Sequence, residues 1–439
     1  RGQTFIQALS VGNFEKTLIG GQPGVTTTWL VGVTAPWQGL YSGQAAIALA
    51  SGILILINTY FFRILFGKQK GTITGLFLAL DPFLLAHSRV VHTDALLALF
   101  YLASLASLLC GLLPIKIQNR YICISAVLAA GALLTKIFAI IIIPTIIATI
   151  VLFLWYKKTN WVQIVHTVGL WLAIGIMTTF IAWPALWSHS NKVFDLLSSR
   201  AALHSEGTRT EEISSTNWYY LRELLFRMSV PVAILLPFAF WQWRKSLRST
   251  HAAITLYLVA TGLLFAFVLN TGSDKSDRYI LFTHLTLVVA APLALTSMRK
   301  WTAVAIVIPI AYLAIDDARL HPYYLAHYNR LYPIEVKHKL GWGEGLEQAA
   351  LWVETNHPGS KVLAYYPRVF SYFYAGEIET ITHVNDATGD FAVLYRSMFE
   401  RGPDAPETDI VNQFLHDATK KPAHIIKING LPYAWIYPL

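Results

Sequence analysis

The sequence predicts a multi-pass α-helical membrane protein carrying a C-terminal soluble α/β domain, and three observations lead there. Hydrophobic residues make up 55% of the 439 and charged residues only 13%, well outside the balance of an ordinary globular chain. Apolar runs of bilayer-crossing length recur as far as Asp316. Beyond Asp316 they stop, and about 120 residues follow, the size of a small domain.

Three regions result. Residues 1–42 read as an extracytoplasmic loop region, because Phe5 to Phe14 is amphipathic and GGQPGVTTTW (20–29) is too rich in turn-forming Gly and Pro to span. Residues 43–316 form the transmembrane domain. Its candidate spans lie at 43–62, 71–87, 95–113, 121–134, 138–156, 161–187, 229–243, 251–270, 279–297 and 301–316. The run from Tyr121 to Tyr156 exceeds one crossing at about 1.5 Å per residue, so it is split near Thr135 and Lys136. Residues 317–439 are the soluble domain. Helices are expected at 345–354 and 410–418, and strands at 361–366, 391–396 and 423–428. No Walker loop or dinucleotide fingerprint accompanies them.

Orientation follows from the connections. Every second one is basic, with Arg63, Lys68 and Lys70, then Lys116 and Arg120, Lys157 and Lys158, Arg244, Lys245 and Arg248, and last Arg299 and Lys300. The positive-inside rule puts these in the cytoplasm. The segment 88–94, Lys136, the loops 188–228 and 271–278, residues 1–42 and everything after Asp316 then share the extracytoplasmic face. With residue 1 on that face, at least one further helix is expected upstream of Arg1. The net charge of +9 does not indicate nucleic acid, since the Lys and Arg residues sit in short clusters between apolar runs. Cys110 and Cys123 fall within apolar segments and read as packing residues.

The segment SRVVHTDALLALF (88–100) is the focus, because Arg89, His92 and Asp94 stand between two apolar runs where an unpaired charge is costly. Loop 188–228 adds His189, His204 and Glu206, and then NWYYLRELLFR, suited to an amphipathic helix along the interface. Lys275 and Arg278 precede a span, as snorkelling anchors do and as cations holding a lipid-linked phosphate do.

In their order along the chain these motifs resemble the polyprenol-phosphate-dependent membrane glycosyltransferases of the GT-C superfamily, which include protein O-mannosyltransferases and the lipid A aminoarabinose transferase. SRVVHTDALLALF is similar to the mannosyltransferases' Ser-Arg-x-x-x-x-Asp and following helix, LLTK (133–136) to their Leu-x-Lys segment, and DKSDRYI (274–280) to their Lys-x-x-Arg-Tyr. GGQPGVTTTW, LLFRMSVP (224–231), HPYYLAHYN (321–329) and GWGEGLEQAA (341–350) are similar to motifs of bacterial members, with Gln22 where those commonly carry His.

The resemblance implies transfer of a sugar from a polyprenyl-phosphate donor to a protein hydroxyl, a glycolipid or a cell-envelope glycan, at the outer face of the plasma membrane. It implies catalytic roles for Asp94 and Arg89, with the principal catalytic Asp expected upstream of Arg1. It also implies lipid-phosphate binding by Lys136, Lys275, Arg278 and His204, and a substrate loop at Gln22, Pro23 and Gly24. It fixes no cofactor, and a divalent metal is left open. The competing classes are a transporter or flippase of envelope precursors, which would show repeated halves, and a non-catalytic scaffold. The scaffold predicts that Asp94, Lys136 and Arg278 lie apart.

Overall fold

A computed structural model describes residues 2–19, 23–34, 40–206, 218–245, 249–272, 275–293, 302–333, 340–381, 389–400, 406–415 and 419–439. The chain divides into two compact units, Arg1–Thr208 with Met228–Asp316, and Arg209–Arg227 with Asp317–Leu439.

The first unit is a helical membrane bundle. It opens with α1 (Gly2–Ser10) and α2 (Val25–Val33), and continues through α3 (Leu40–Phe66), α4 (Lys68–Ala79), α5 (Pro82–Ser88), α6 (Asp94–Leu112), α7 (Asn119–Thr135), α8 (Ile142–Tyr156) and α9 (Trp161–Ala182). Then come α10 (Ala185–Ser188) and α11 (Ser190–Glu206). In the second unit lies α12 (Tyr219–Arg227), and back in the first α13 (Val230–Lys245), α14 (Thr250–Asn270), α15 (Leu281–Ala290) and α16 (Thr302–Leu320), whose last residues pass into the second unit.

Among the described residues, five helical segments are long and apolar enough to cross a membrane: Tyr41–Phe66, Asp94–Leu112, Ile137–Tyr156, Trp161–Ala182 and Thr250–Asn270. Other expected spans fold as shorter pieces. The run 71–87 breaks at Asp81-Pro82, where the Asp81 side chain caps α5 by accepting from the Leu84 amide at 2.9 Å. The run 121–156 breaks at Lys136, whose backbone is extended (φ −158°, ψ 141°) between α7 and a 3-10 turn, Ile137–Ile141.

Helix α6 is the axis of this unit, buried at every residue but Phe100. Small and hydroxylated residues let its neighbours approach, as membrane helices require. Ser104 Oγ donates to the Ser125 carbonyl at 2.8 Å, Ser107 Oγ to the Tyr121 carbonyl at 2.9 Å, and Asn58 Nδ2 of α3 to the Leu99 carbonyl at 3.1 Å. A Cβ on Gly131 would stand 2.8 Å from the Phe100 ring, so α7 packs there only because the residue is Gly.

The second unit is a three-layer α/β domain. Its sheet runs in the order β2 (Ile378–Thr380), β1 (Val362–Ala364), β3 (Phe391–Tyr395), β5 (Leu431–Pro438), β4 (His424–Ile428). Strand β1 pairs in parallel with both β2 and β3, while β5 is antiparallel to β3 and β4. Alternate residues of β3 point to opposite cores. Val393 and Tyr395 meet Leu346, Ala349 and Val353 of α17 (Leu346–Asn356), while Ala392 and Leu394 meet Ile410 and Phe414 of the helix Pro406–Leu415. Both faces are covered, so β3 reads as the continuous apolar run FAVLY rather than an alternating one.

The segment expected along the membrane interface belongs to this unit. Helix α12 buries Tyr219, Tyr220, Glu223 and Arg227 and leaves Trp218, Leu221 and Leu225 exposed. Arg227 Nη1 donates to the Leu325 and His327 carbonyls at 2.9 and 3.0 Å, and the Asn329 amide donates to the Phe226 carbonyl at 2.7 Å.

Candidate active site in the membrane unit

Asp94 opens α6 with its carboxylate 1% exposed, a position that hydrocarbon or protein interior tolerates only if the charge is paired. Three segments supply the partners. Lys136 Nζ, fully buried at the break after α7, donates to Asp94 Oδ1 at 2.6 Å. His92 Nδ1 lies 2.6 Å from Oδ2. Arg278 Nε, on the 3-10 turn Asp277–Ile280 that leads into α15, lies 3.8 Å from Oδ2. The extended backbone at Lys136 is what aims its side chain sideways into the bundle; a continuous helix would not free that residue.

Aromatic rings complete the surroundings of the ammonium. Lys136 Nζ stands 4.1 Å from the Tyr279 ring centroid and 5.1 Å from that of Phe138, and those rings meet edge to face. Arg278 lies 5.2 Å over the same Tyr279 ring. Burial grades the three partners: Lys136 is enclosed, whereas the side chains of His92 and Arg278 keep 29% and 25% exposure. The geometry therefore presents Arg278 and His92 outward and holds Lys136 behind them against Asp94. Lys275 is buried three residues before Arg278, and burial draws its pKa below the usual lysine value. Arg89 stands half-buried at the end of α5.

The Gly-Pro loop docks beside this group. Gly24, at a φ of +57° that favours glycine, donates its amide to the Thr135 carbonyl at 3.0 Å, one residue before Lys136. Thr26 and Thr135 hydroxyls meet at 2.6 Å, Pro23 is buried, and Trp29 Nε1 donates to the Ala182 carbonyl at 2.9 Å. Gln22 lies outside the described residues, and so does the side chain of His204, whose backbone belongs to α11. Further out, Glu15 pairs with Lys192 and His189, and the Lys192 hydrogen bond holds its carboxyl below the usual range. Among the described residues, no three of His, Cys, Asp and Glu converge as metal ligands.

The same unit buries a second acid with a partner, Asp81 with His284. His284 Nε2 on α15 is 2.9 and 3.0 Å from the two Asp81 oxygens, each side chain about 1% exposed. Asp81 caps the helix that leads to Arg89 and Asp94, and His284 stands six residues beyond Arg278, so this pair ties together two of the segments that build the site. Sequence reasoning passed over it. The available signal was an Asp and a His each set alone in an apolar run, an arrangement that calls for a partner.

The opposite end of the bundle contrasts with this one. Lys157 Nζ donates to the carbonyls of Leu112, Leu113 and Pro114 at the end of α6, a cation placed on a helix C-terminus. Phe66 meets His251 edge to face at 5.9 Å. The basic connections after α3, α6 and α8 thus gather away from Asp94.

Residues 38–183 match the family described as Dolichyl-phosphate-mannose-protein mannosyltransferase. No curated protein matches the chain by sequence. Among solved structures, ArnT from Cupriavidus metallidurans in the apo state is similar at 13% identity with a TM-score of 0.55, over 99% of this chain and 92% of that one. The same protein bound to undecaprenyl phosphate gives 0.54, with the same identity and coverage. The likeness to ArnT shows that the chain shares its fold. The fold likeness to ArnT extends over both units, and the mannosyltransferase family match covers the stretch that carries Asp94 and Lys136.

Proposed function

We propose that the protein transfers a sugar from a polyprenyl-phosphate donor to an extracytoplasmic acceptor, with its site at the bundle end that holds Asp94. The observation that carries this is the convergence of Asp94, Lys136 and Arg278 from three segments far apart in sequence. It argues against the scaffold reading, which expects them apart.

Transfer leaves negative charge on the departing phosphate, and fixed cations at the outer leaflet stabilise that charge as it develops. Arg278 is the cation of this cluster proposed to meet the phosphate, and Lys275, three residues earlier, is proposed to assist it. Asp94 already has both oxygens engaged by cations, which suits it to orient His92 and Arg278 rather than to take a proton. Lys136 neutralises Asp94 and completes a rigid base for the site. The loop at Pro23 and Gly24, anchored to Thr135, is the proposed contact for the sugar or acceptor. An ArnT structure binds undecaprenyl phosphate, which makes that lipid the natural probe.

Undecaprenyl phosphate is expected to bind the purified chain, and Arg278→Ala to weaken binding by about tenfold or more without lowering the melting temperature. Undiminished binding would remove Arg278 from the site. A C-terminal tag reached by an impermeant label only after cells are lysed would overturn the extracytoplasmic assignment.

A further inference from the structure

A groove of about 550 Å³ runs along the membrane unit between α3 and α7 and reaches Arg120 at the start of α7. Its walls are helical stripes. On α3, Ile53, Leu56 and Tyr60 recur at three- and four-residue spacing and are exposed; on α7, Tyr121, Ile124 and Leu128 recur at the same spacing, with Ile124 exposed and Tyr121 and Leu128 buried beside Phe61 at the floor. From Leu128 to Arg120 the groove is roughly 12 Å long at 1.5 Å per residue. Apart from the phenol groups, the lining is hydrocarbon until it reaches Arg120.

The mouth is polar. Tyr60 and Tyr121 share a hydrogen bond, and the Arg120 guanidinium lies 4.6 Å over the Tyr121 ring, exposed and with no carboxylate partner among the described residues. Arg63, three residues past Tyr60, continues the α3 face and is exposed. The connections at this end, 63–70, 113–120 and 156–160, contain Lys and Arg but no Asp or Glu. An apolar channel open along its side and ending at cations with no carboxylate partner among the described residues complements one ligand, a lipid whose acyl chain fills the channel and whose anionic headgroup meets the guanidinium.

We propose that this groove is a binding site for an anionic phospholipid, distinct from the donor site and independent of transfer chemistry. The full chain in neutral detergent is to be titrated with phosphatidylglycerol and with phosphatidylcholine of equal chain length, and retained lipid counted by native mass spectrometry. Phosphatidylglycerol is expected to be retained about fivefold better. Arg120→Gln should bring the two lipids close to parity, Leu56→Trp should reduce retention of both, and Lys158→Gln, at the same end but outside the groove, should change neither.

Equal losses in Arg120→Gln and Lys158→Gln would overturn the proposal in favour of diffuse surface charge. Full retention in Leu56→Trp would overturn it too, as would capture of a second copy of the chain in place of lipid. Competition by soluble glycerol phosphate at the same concentration would show a headgroup site without a lipid. Because Arg278→Ala does not touch this groove, it should bind phosphatidylglycerol normally even where undecaprenyl phosphate binding is lost.

Discussion

At one end of the membrane unit Lys157 rests on main-chain carbonyls and Arg120 lies over a ring, and the neighbouring connections contain no acid; at the other end Lys136 and Arg278 close on a buried carboxylate. The side chains are of the same chemical type. What differs is desolvation. An exposed cation near a headgroup layer costs little and contributes orientation, whereas a buried one persists only where an anion compensates it.

The sharpest way to break that contrast is at Asp94. Asp94→Asn leaves Lys136 charged and enclosed, and should destabilise the full chain by about 3–5 kcal/mol as well as abolish donor binding. Pairing it with Lys136→Met should return most of the stability and none of the function, measured by thermal unfolding and undecaprenyl phosphate binding. If Asp94→Asn melts like the parent, the pair is not compensating a buried charge.

A smaller loss is expected at the second pair. His284→Ala leaves the Asp81 carboxylate buried with only the Leu84 amide, a cost of about 2–3 kcal/mol, while His284→Gln keeps a donor and should recover about half. Amide exchange across 82–94 should rise in the alanine variant; if it stays put, the pair does not hold that segment.

In the soluble unit, burial pushes the Glu344 carboxyl up, although the Trp342 amide donates to it at 2.6 Å and the Tyr395 hydroxyl at 3.0 Å. A raised folded-state value means that this group favours folding below the ordinary carboxylate range and loses that contribution as pH rises through the raised value. Glu344→Gln should therefore flatten the fall in melting temperature between the usual glutamate range and neutrality; an unchanged slope would show the titration lies elsewhere. At the lower limit, Lys158→Gln should alter stability by less than about 0.5 kcal/mol and leave donor binding intact.

Much of this arrangement was readable from composition and pattern, for definite reasons. The break at Thr135-Lys136 was legible because an apolar run cannot exceed the bilayer without interruption, and the lone Lys marked where. Strands β1, β3 and β4 announced themselves as short β-branched or apolar runs between turn signals. Strand β5 did not, since Pro432 and Pro438 bracket its aromatic residues and proline argues against a paired strand. Helix α12 was legible as amphipathic, but not the unit it joins: it buries Tyr219, Tyr220, Glu223, Leu224, Phe226 and Arg227 in the second unit and leaves Trp218, Leu221 and Leu225 exposed. The pairing of Asp81 with His284 joins residues 203 positions apart, and no local pattern encodes such a partner.

The enclosed axis formed by α6 has a consequence for biogenesis. The ribosome emits Asp94 before its cation, which follows 42 residues later. At translation rates of about 5–20 residues per second, the acid waits roughly 2–8 s for Lys136. During that interval the newborn helix must either keep its acidic tip at the aqueous border or rest within the insertion machinery. Its lateral release into lipid is thereby coupled to the arrival of the next hairpin.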